Sequence, residues 1–373
     1  MNKNEIRNLI FNHVEQYANE VVSKQVERWE LKAYHLMSAN LLKCMPHIPI
    51  EKHIGIYKNL LAYRFLENAP EFYKTFELET FFSKISYDKF CKQLPAIYVS
   101  YHSGAYRTAI LPMIKYNIDV AIIVDTTVFT LEKIQEELDG QIRFAKEIFP
   151  CSSSQIEILS ANNPNITSAL IDRINKKYSI LSFIDWATEY SAKDKQSITI
   201  NFFKQNICVK QSLAMLSYLT KRPIIPYISY YNKQHIPCWK LSPIINPNEF
   251  LDIKSYSSFA MQQIYKHLEY TVTEYYDQWN GWWHLHKFYK DIPCHISQNI
   301  NKPIEKESYK MSDYSGIFSL SNTYFIINKQ NFRIVRLPDK LFKILSKKTN
   351  IKKGELEDSI IHQLLNAGIL QRK

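Results

Sequence analysis

The sequence predicts an α/β protein with a mostly parallel sheet flanked by helices. Five short apolar runs recur along the middle of the chain, and stretches with helical periodicity separate most of them. Parallel strands need such long crossover connections, whereas antiparallel strands are usually joined by tight turns. With 373 residues, the chain is long enough for one large domain and a smaller one.

Composition excludes several classes of protein. No apolar run approaches the roughly 18 residues of a membrane span, and the charged N-terminus is unlike a signal peptide, so we expect a cytoplasmic protein. The six cysteines form no CxxC pair, so we expect reduced thiols, no metal site and no cofactor. The net charge of +11 favours an anionic partner: a membrane surface, a nucleic acid or an acidic carrier protein.

Helical periodicity dominates the N-terminal part of the chain. Apolar residues recur at intervals of three or four from residue 4 to about residue 83, with breaks at Pro46, Pro49 and Pro70. We predict a helical cover over residues 1–93. A packing role is favoured for this cover over a separate binding role.

The most informative stretch ends at Asp125. An apolar run at residues 96–101 leads to His102 and Gly104, then a helix-compatible segment, then a second apolar run before Asp125. This order is typical of a parallel βαβ unit, in which residues past the first strand face the ligand-binding crevice. His102 is therefore the first candidate for a catalytic base. The alternative is a strand-end histidine bonded to backbone.

Three more strand and helix repeats extend this unit. The strands are predicted at residues 156–159, 178–184 and 223–231, and the helices at residues 131–149, 166–177 and 211–220. Asp185 follows an apolar run, as His102 and Asp125 do. These three side chains should therefore line up beyond the carboxyl ends of the strands.

The C-terminal part predicts a long helix, a linker and a small domain. The helix, over residues 257–283, completes a core of residues 94–293, and its three tryptophans suit either an interfacial surface or packing on the core. The polar residues 294–312 predict a linker. Residues 313–373 contain three strand candidates and two helices, the second capped by Gly368, and form a winged-helix-like unit.

Several short motifs occur in order over about residues 25–292. They are SANLLKCMP (residues 38–46), HSGAY (102–106), FIDW (183–186) with NFF (201–203), SLA (212–214) and PIIP (223–226), and QWNGWWHLHKF (278–288). Together they resemble motifs of the lipid A lauroyl and myristoyl acyltransferases, within the lysophospholipid acyltransferase superfamily. The resemblance implies a glycerolipid acyltransferase-like fold. It also implies acyl transfer from an acyl-carrier-protein or acyl-CoA thioester to a hydroxyl or amine.

The resemblance assigns His102 as the general base. The family places an acid five residues after this histidine, but this chain has Arg107 there. The carboxylate can come from another strand end, with Asp185 the first choice and Glu189 or Asp125 the next. Arg107 is then available for an anion, such as a phosphate of the donor or a carboxylate of the acceptor.

The remaining substrate-binding candidates are Gly104, Tyr106 and Trp186, together with Arg107 and Asp125. Two alternatives to acyl transfer stay open. One is a catalytically lost protein that binds a lipid or peptide in the same cleft, because the family acid is missing. The other is a different condensation or hydrolysis of a thioester.

The predicted partners follow from the net charge of the chain and from residues 313–373. A basic chain attracts an acidic acyl carrier protein. Residues 313–373 hold 11 basic and 5 acidic residues and resemble the peptide-chaperone modules of modified-peptide biosynthesis. We favour capture of a peptide acceptor by β-augmentation over structural packing, and DNA binding ranks last. Peripheral contact with the inner membrane face would use Trp279, Trp282 and Trp283.

Overall fold

The computed structural model describes residues 2–66, 72, 94–127, 130–185, 197–290, 308–347, 350–352 and 354–372. The chain forms two compact units. The first comprises Met1–Gln16, Asn59–Phe202 and Asn206–Gly281, and the second comprises Tyr17–Lys58, Phe203–Gln205 and Trp282–Lys373. In the described part of the chain, every helix is too short or too polar to cross a bilayer.

Three helices occupy the described N-terminal residues, as predicted. They are α1 (Lys3–Glu27), α2 (Lys32–Cys44) and α3 (His53–Leu66). Pro46 and Pro49 lie between α2 and α3, where the pyrrolidine ring cannot continue a helix. The predicted break at Pro70 and the rest of the predicted cover, apart from Phe72, lie outside the described residues.

The first unit is built on a mostly parallel sheet. Its chain supplies β1 (Ile97–Ser100), β2 (Val120–Val124), β3 (Ile156–Ser160), β4 (Ser179–Phe183), β5 (Ser197–Phe202), β6 (Gln205–Lys210), β7 (Ile224–Tyr231) and β8 (Pro237–Leu241). Six of these strands form one sheet in the order β3-β2-β4-β1-β7-β8, in which only β8 is antiparallel. The predicted α/β class and its parallel strands are confirmed.

Helices connect the parallel strands close to the predicted positions. They are α4 (Leu111–Lys115), α5 (Leu131–Ile148), α6 (Ile166–Asn175) and α7 (Ser212–Thr220). The sequence pattern misses β8 and the β5-β6 hairpin. The hairpin turn uses Phe203 and Lys204 at φ of 47° and 59°, where glycine or asparagine is the usual signal. No turn residue therefore marks this hairpin in the sequence.

The long C-terminal helix of the first unit is shorter than predicted. Helix α8 (Ile253–Glu274) gives way to three short 3₁₀ helices, at Tyr276–Gln278, Asn280–Trp283 and Leu285–Lys287. Of the two interpretations of the nearby tryptophans, packing on the core is confirmed and an interfacial surface is not, because Trp279, Trp282 and Trp283 are only 2%, 0% and 8% exposed. Burial of these large apolar rings in the core is more favourable than their exposure to water.

The second unit contains two small antiparallel sheets and two further helices. Its elements are β9 (Ser308–Met311), β10 (Ser315–Leu320), β11 (Thr323–Asn328), β12 (Arg333–Leu337), α9 (Asp339–Lys347), β13 (Ile351–Lys352), α10 (Asp358–Asn366) and β14 (Leu370–Arg372). The sheets have the orders β10-β11-β12 and β13-β9-β14. Gly368, at φ 67°, follows α10 as the predicted cap. Strand β9 lies in the segment predicted as a linker.

Helix α2 belongs to the same unit as these strands. The ring of His35 covers Gly316, at a place where a Cβ atom would collide with it. The His35 Nε2 atom lies 3.2 Å from the carbonyl oxygen of Ile317, and Trp29 meets Phe342 edge-on at 5.5 Å. This grouping differs from the predicted domains, which separate residues 1–93 from residues 313–373.

Candidate active site

Sheet register brings His102 and Asp185 together. Strands β1 and β4 are adjacent and parallel, and their last residues, Ser100 and Phe183, are paired. His102 and Asp185 each lie two residues beyond these strand ends. Parallel neighbours carry such residues to the same edge of the sheet, so two positions far apart in sequence become neighbours.

The two side chains form a hydrogen-bonded pair. The Nδ1 atom of His102 lies 2.8 Å from Oδ1 of Asp185. The backbone N–H of His102 also donates to both carboxylate oxygens, at 3.1 and 2.9 Å. The Asp185 side chain is 1% exposed and the His102 side chain is 18% exposed. The imidazole is therefore held by a buried acid and keeps one side toward solvent.

A third donor completes the surroundings of this carboxylate. Trp279 Nε1–H donates to Oδ2 of Asp185 at 2.7 Å. The neighbouring Tyr101 hydroxyl donates instead to the carbonyl of Ile264. Burial, and then the charge of Asp185, raise the pKa of Tyr101 well above its ordinary value, so this phenol stays neutral. Three N–H groups from two residues thus satisfy a carboxylate that is shielded from water.

These donors determine which histidine nitrogen acts as a base. An ionised carboxylate only accepts hydrogen bonds, so the proton of the imidazole lies on Nδ1. The lone pair is then on Nε2, which is the nitrogen that can take a proton from a nucleophile. The geometry is that of a base oriented by a buried acid, an arrangement that recurs on unrelated folds.

Gly104 shapes the loop that follows His102. Its φ is 48°, and a Cβ atom there would collide with the side-chain oxygen of Gln278 and lie 2.9 Å from Cα of Tyr230. Its N–H donates to the Gln278 carbonyl at 2.9 Å. The buried Gln278 side chain bonds both backbone groups of Tyr231 at 2.8 Å. Gly104 thus lies where the loop is clamped to the end of β7.

An apolar cavity of about 200 Å³ opens beside His102. Tyr106 and Phe183 line it beside the imidazole, from which their ring centroids lie 4.9 and 5.0 Å away. Most of the other described lining residues are aliphatic and come from the sheet, from α5 and from the segment after Tyr106: Ala109, Ile110, Ile122, Val124, Ile134, Leu138, Ile158 and Leu181. A hydrocarbon is the ligand that such a lining favours.

Arg107 also lines this cavity. Its Nη2 atom lies 3.4 Å from Oε2 of Glu137 on α5, and both side chains are partly exposed. The pair places a guanidinium and a carboxylate at an otherwise apolar wall. Exposed ion pairs of this kind contribute little to stability, so Arg107 can exchange this partner for an anionic ligand at small cost.

The other predicted site residues differ in their placement. Asp125 follows β2, which is separated from β1 by β4, and its Oδ1 accepts the N–H of Thr127 at 2.8 Å. This bond is local to the turn that follows β2. Trp186 and Glu189 lie outside the described residues. Among the predicted carboxylates, Asp185 is the one that the structure pairs with His102.

Sequence reasoning missed Gln278 and Trp279 as parts of the site. They lie in the motif at residues 278–288, whose tryptophans were assigned to an interfacial surface or to packing on the core and not to the site. In the described part of the chain, no cluster of His, Cys, Asp and Glu could hold a metal ion. No protein-family model matches the chain, and a search of curated proteins finds no match. The resemblance to the acyltransferases stays a prediction.

Proposed function

We propose that this protein transfers an acyl group from an acyl-carrier-protein or acyl-CoA thioester to a hydroxyl or amine. The observation that carries the proposal is the bond between Asp185 and Nδ1 of His102, which lines a largely aliphatic cavity. A catalytic base beside a hydrocarbon-binding cavity is what acyl transfer requires. The glycerolipid acyltransferase-like fold and the winged-helix-like character of the tail are parts of the same proposal.

The reaction uses His102 twice. Its Nε2 atom removes the proton of the acceptor while the acceptor oxygen or nitrogen attacks the thioester carbonyl. The resulting tetrahedral oxyanion collapses, the C–S bond breaks, and the imidazolium returns the proton to the leaving thiolate. Asp185 stabilises the imidazolium between these steps. In this scheme Asp185 replaces the acid that the family has at the position of Arg107.

Arg107 has a binding role in this proposal. Its guanidinium lines the cavity near His102 and can pair with a phosphate of the phosphopantetheine arm or a carboxylate of the acceptor. The net charge of +11 favours an acidic carrier protein as the donor. We place the enzyme in the cytoplasm, with any membrane contact peripheral.

A peptide is the acceptor that the second unit favours. Strand β12 lies at the edge of its sheet, with Ile334 and Val335 39% and 45% exposed and Arg333 and Arg336 beside them. The opposite edge strand is covered, because the N–H of Ser319 donates to the carbonyl of Trp29 at 2.6 Å. An open basic edge suits an extended acidic segment, which would add a strand to the sheet.

Thioester turnover tests the proposal. We expect the wild type to release thiol from an acyl-CoA or acyl-carrier donor and to acylate a peptide or glycolipid, as read by mass spectrometry. His102→Ala and Asp185→Asn should each lower turnover by roughly a thousandfold or more. The exposed His47→Ala is the control that should retain activity, and Asp125→Asn tests the alternative acid.

The outcomes separate the competing functions. Thiol release without an acylated acceptor indicates a thioester hydrolase. Ligand binding in the cavity without any thiol release indicates a protein that has lost its chemistry. If Asp125→Asn abolishes turnover and Asp185→Asn does not, the assignment of the acid is wrong. Arg107→Ala should raise KM for the donor or acceptor more than it lowers kcat.

A further inference from the structure

We infer that the cavity beside His102 takes a medium-length acyl chain of about eight carbons, and that Ile158 sets this length. The inference rests on the proposed acyl transfer for the nature of the ligand. It assigns a chain length, which the family resemblance leaves open.

Sheet register gives the direction of the cavity. Ile158 on β3 pairs with Ile122 on β2, and Ile122 pairs with Leu181 on β4. All three line the cavity, so they form one row across its floor. His102 follows β1, the next strand in the sheet. The row therefore runs from the strand beside β1 to β3, at the edge of the sheet.

The residues that line the cavity favour an apolar acyl chain over a polar group as its occupant. Ile134 and Leu138 of α5 contribute to the same cavity as the floor row, and Ala109 and Ile110 contribute from the segment after Tyr106. Among the described residues most of the lining is aliphatic, and His102, Arg107, Glu137 and Gln141 are its ionisable or amide side chains. Apolar surface buried in such a cavity contributes to binding by about fourfold for each methylene group.

The volume limits the length of this chain. The cavity measures about 200 Å³. An apolar cavity of about 150 Å³ accommodates the six carbons of benzene, so this one accommodates about eight. Ile158 belongs to β3, which is the outermost strand of the sheet and the lining strand farthest from His102. Its side chain therefore stands at the distal end of the floor row.

A series of acyl-CoA donors from butanoyl to hexadecanoyl tests the inference. We expect octanoyl-CoA to give a kcat/KM at least tenfold above hexadecanoyl-CoA. Ile158→Ala should move the optimum to longer chains, and Ile158→Phe should move it to shorter ones. Leu159→Ala, on the opposite face of the same strand, is the matched control and should leave the profile unchanged. Thermal unfolding confirms that each variant is folded.

Binding of free fatty acids from butanoic to hexadecanoic acid separates failure of this inference from failure of the proposed function. If donors turn over best at long chain lengths and Ile158 has no effect, the length assignment is wrong and acyl transfer stands. If no donor turns over but octanoic acid binds best and the Ile158 variants shift this preference, acyl transfer fails and the assignment of the cavity stands. Binding that is independent of chain length overturns the inference.

Discussion

Asp185 shows how one buried residue depends on its donors. The carboxylate accepts from the backbone and side chain of His102 and from Trp279, and its side chain is almost completely buried. A charge in this position is tolerated only while these bonds are made, because an unpaired buried charge costs several kcal/mol. The same bonds hold the imidazole in a single orientation.

Trp279→Phe should therefore weaken both stability and catalysis. The substitution retains a buried ring but removes the N–H that donates to Asp185 at 2.7 Å. A hydrogen bond to a charged group contributes about 2 kcal/mol, so we expect a loss of that size in the free energy of unfolding. Urea unfolding measures it. A loss below about 0.5 kcal/mol would contradict a role for Nε1.

At the scale of an element, the backbone conformation at a glycine decides whether an added Cβ atom destabilises or stabilises the fold. Gly104 has a φ of 48° in the loop after β1, whereas Gly140 lies inside helix α5 with open space around its Cα. An added Cβ is strained and crowded at the first position. At the second position it improves helix propensity.

The pair Gly104→Ala and Gly140→Ala should change stability in opposite directions. We expect Gly104→Ala to lower the free energy of unfolding by more than about 1 kcal/mol. The left-handed backbone at this position is strained for alanine, and its Cβ atom would collide with the side chain of Gln278. Gly140→Ala should raise it by about 0.5 to 1 kcal/mol. Chemical denaturation gives both values. A stable Gly104→Ala variant would show that the loop relaxes away from Gln278.

At the scale of the whole molecule, buried histidines link stability to pH. Burial, and then the nearby charge of Lys329, lower the pKa of His35 to about 3. Burial also lowers the pKa of His53 to about 4. The unfolded chain holds these groups near pKa 6.5, so it binds more protons than the folded chain between about pH 4 and 6.5. Stability therefore rises with pH in this window.

Acidification from pH 7 to 5 should destabilise the protein. The free energy of unfolding falls by about 2 kcal/mol for each of these histidines, because its ring stays neutral in the folded protein and takes up a proton in the unfolded chain. Urea midpoints at the two pH values measure it. His53→Asn should reduce the slope, and the exposed His47→Ala should not. A midpoint that is flat between pH 7 and 5 would show that these rings are solvated.

Much of the first unit follows from local pattern. The parallel strands are continuous apolar runs, because both faces of the sheet are covered, and so β2 and β7 lie within a residue of their predicted positions. The ends of these runs located His102 and Asp185, and the sheet edge that they share. The β5-β6 hairpin escaped prediction because Phe203 and Lys204 make a turn without glycine, and β8 escaped it because PCWKL is not a continuous apolar run.

The sequence by itself determined the class of the fold, the strand ends and the residue types available for chemistry. Each of these depends on the spacing of apolar and polar residues along the chain. Only the tertiary structure decided that Asp185 pairs with His102, that Trp279 is buried against this carboxylate, and that α2 packs with the C-terminal strands. Those contacts join residues far apart in sequence, and they depend on strand order and side-chain packing, which no local pattern encodes.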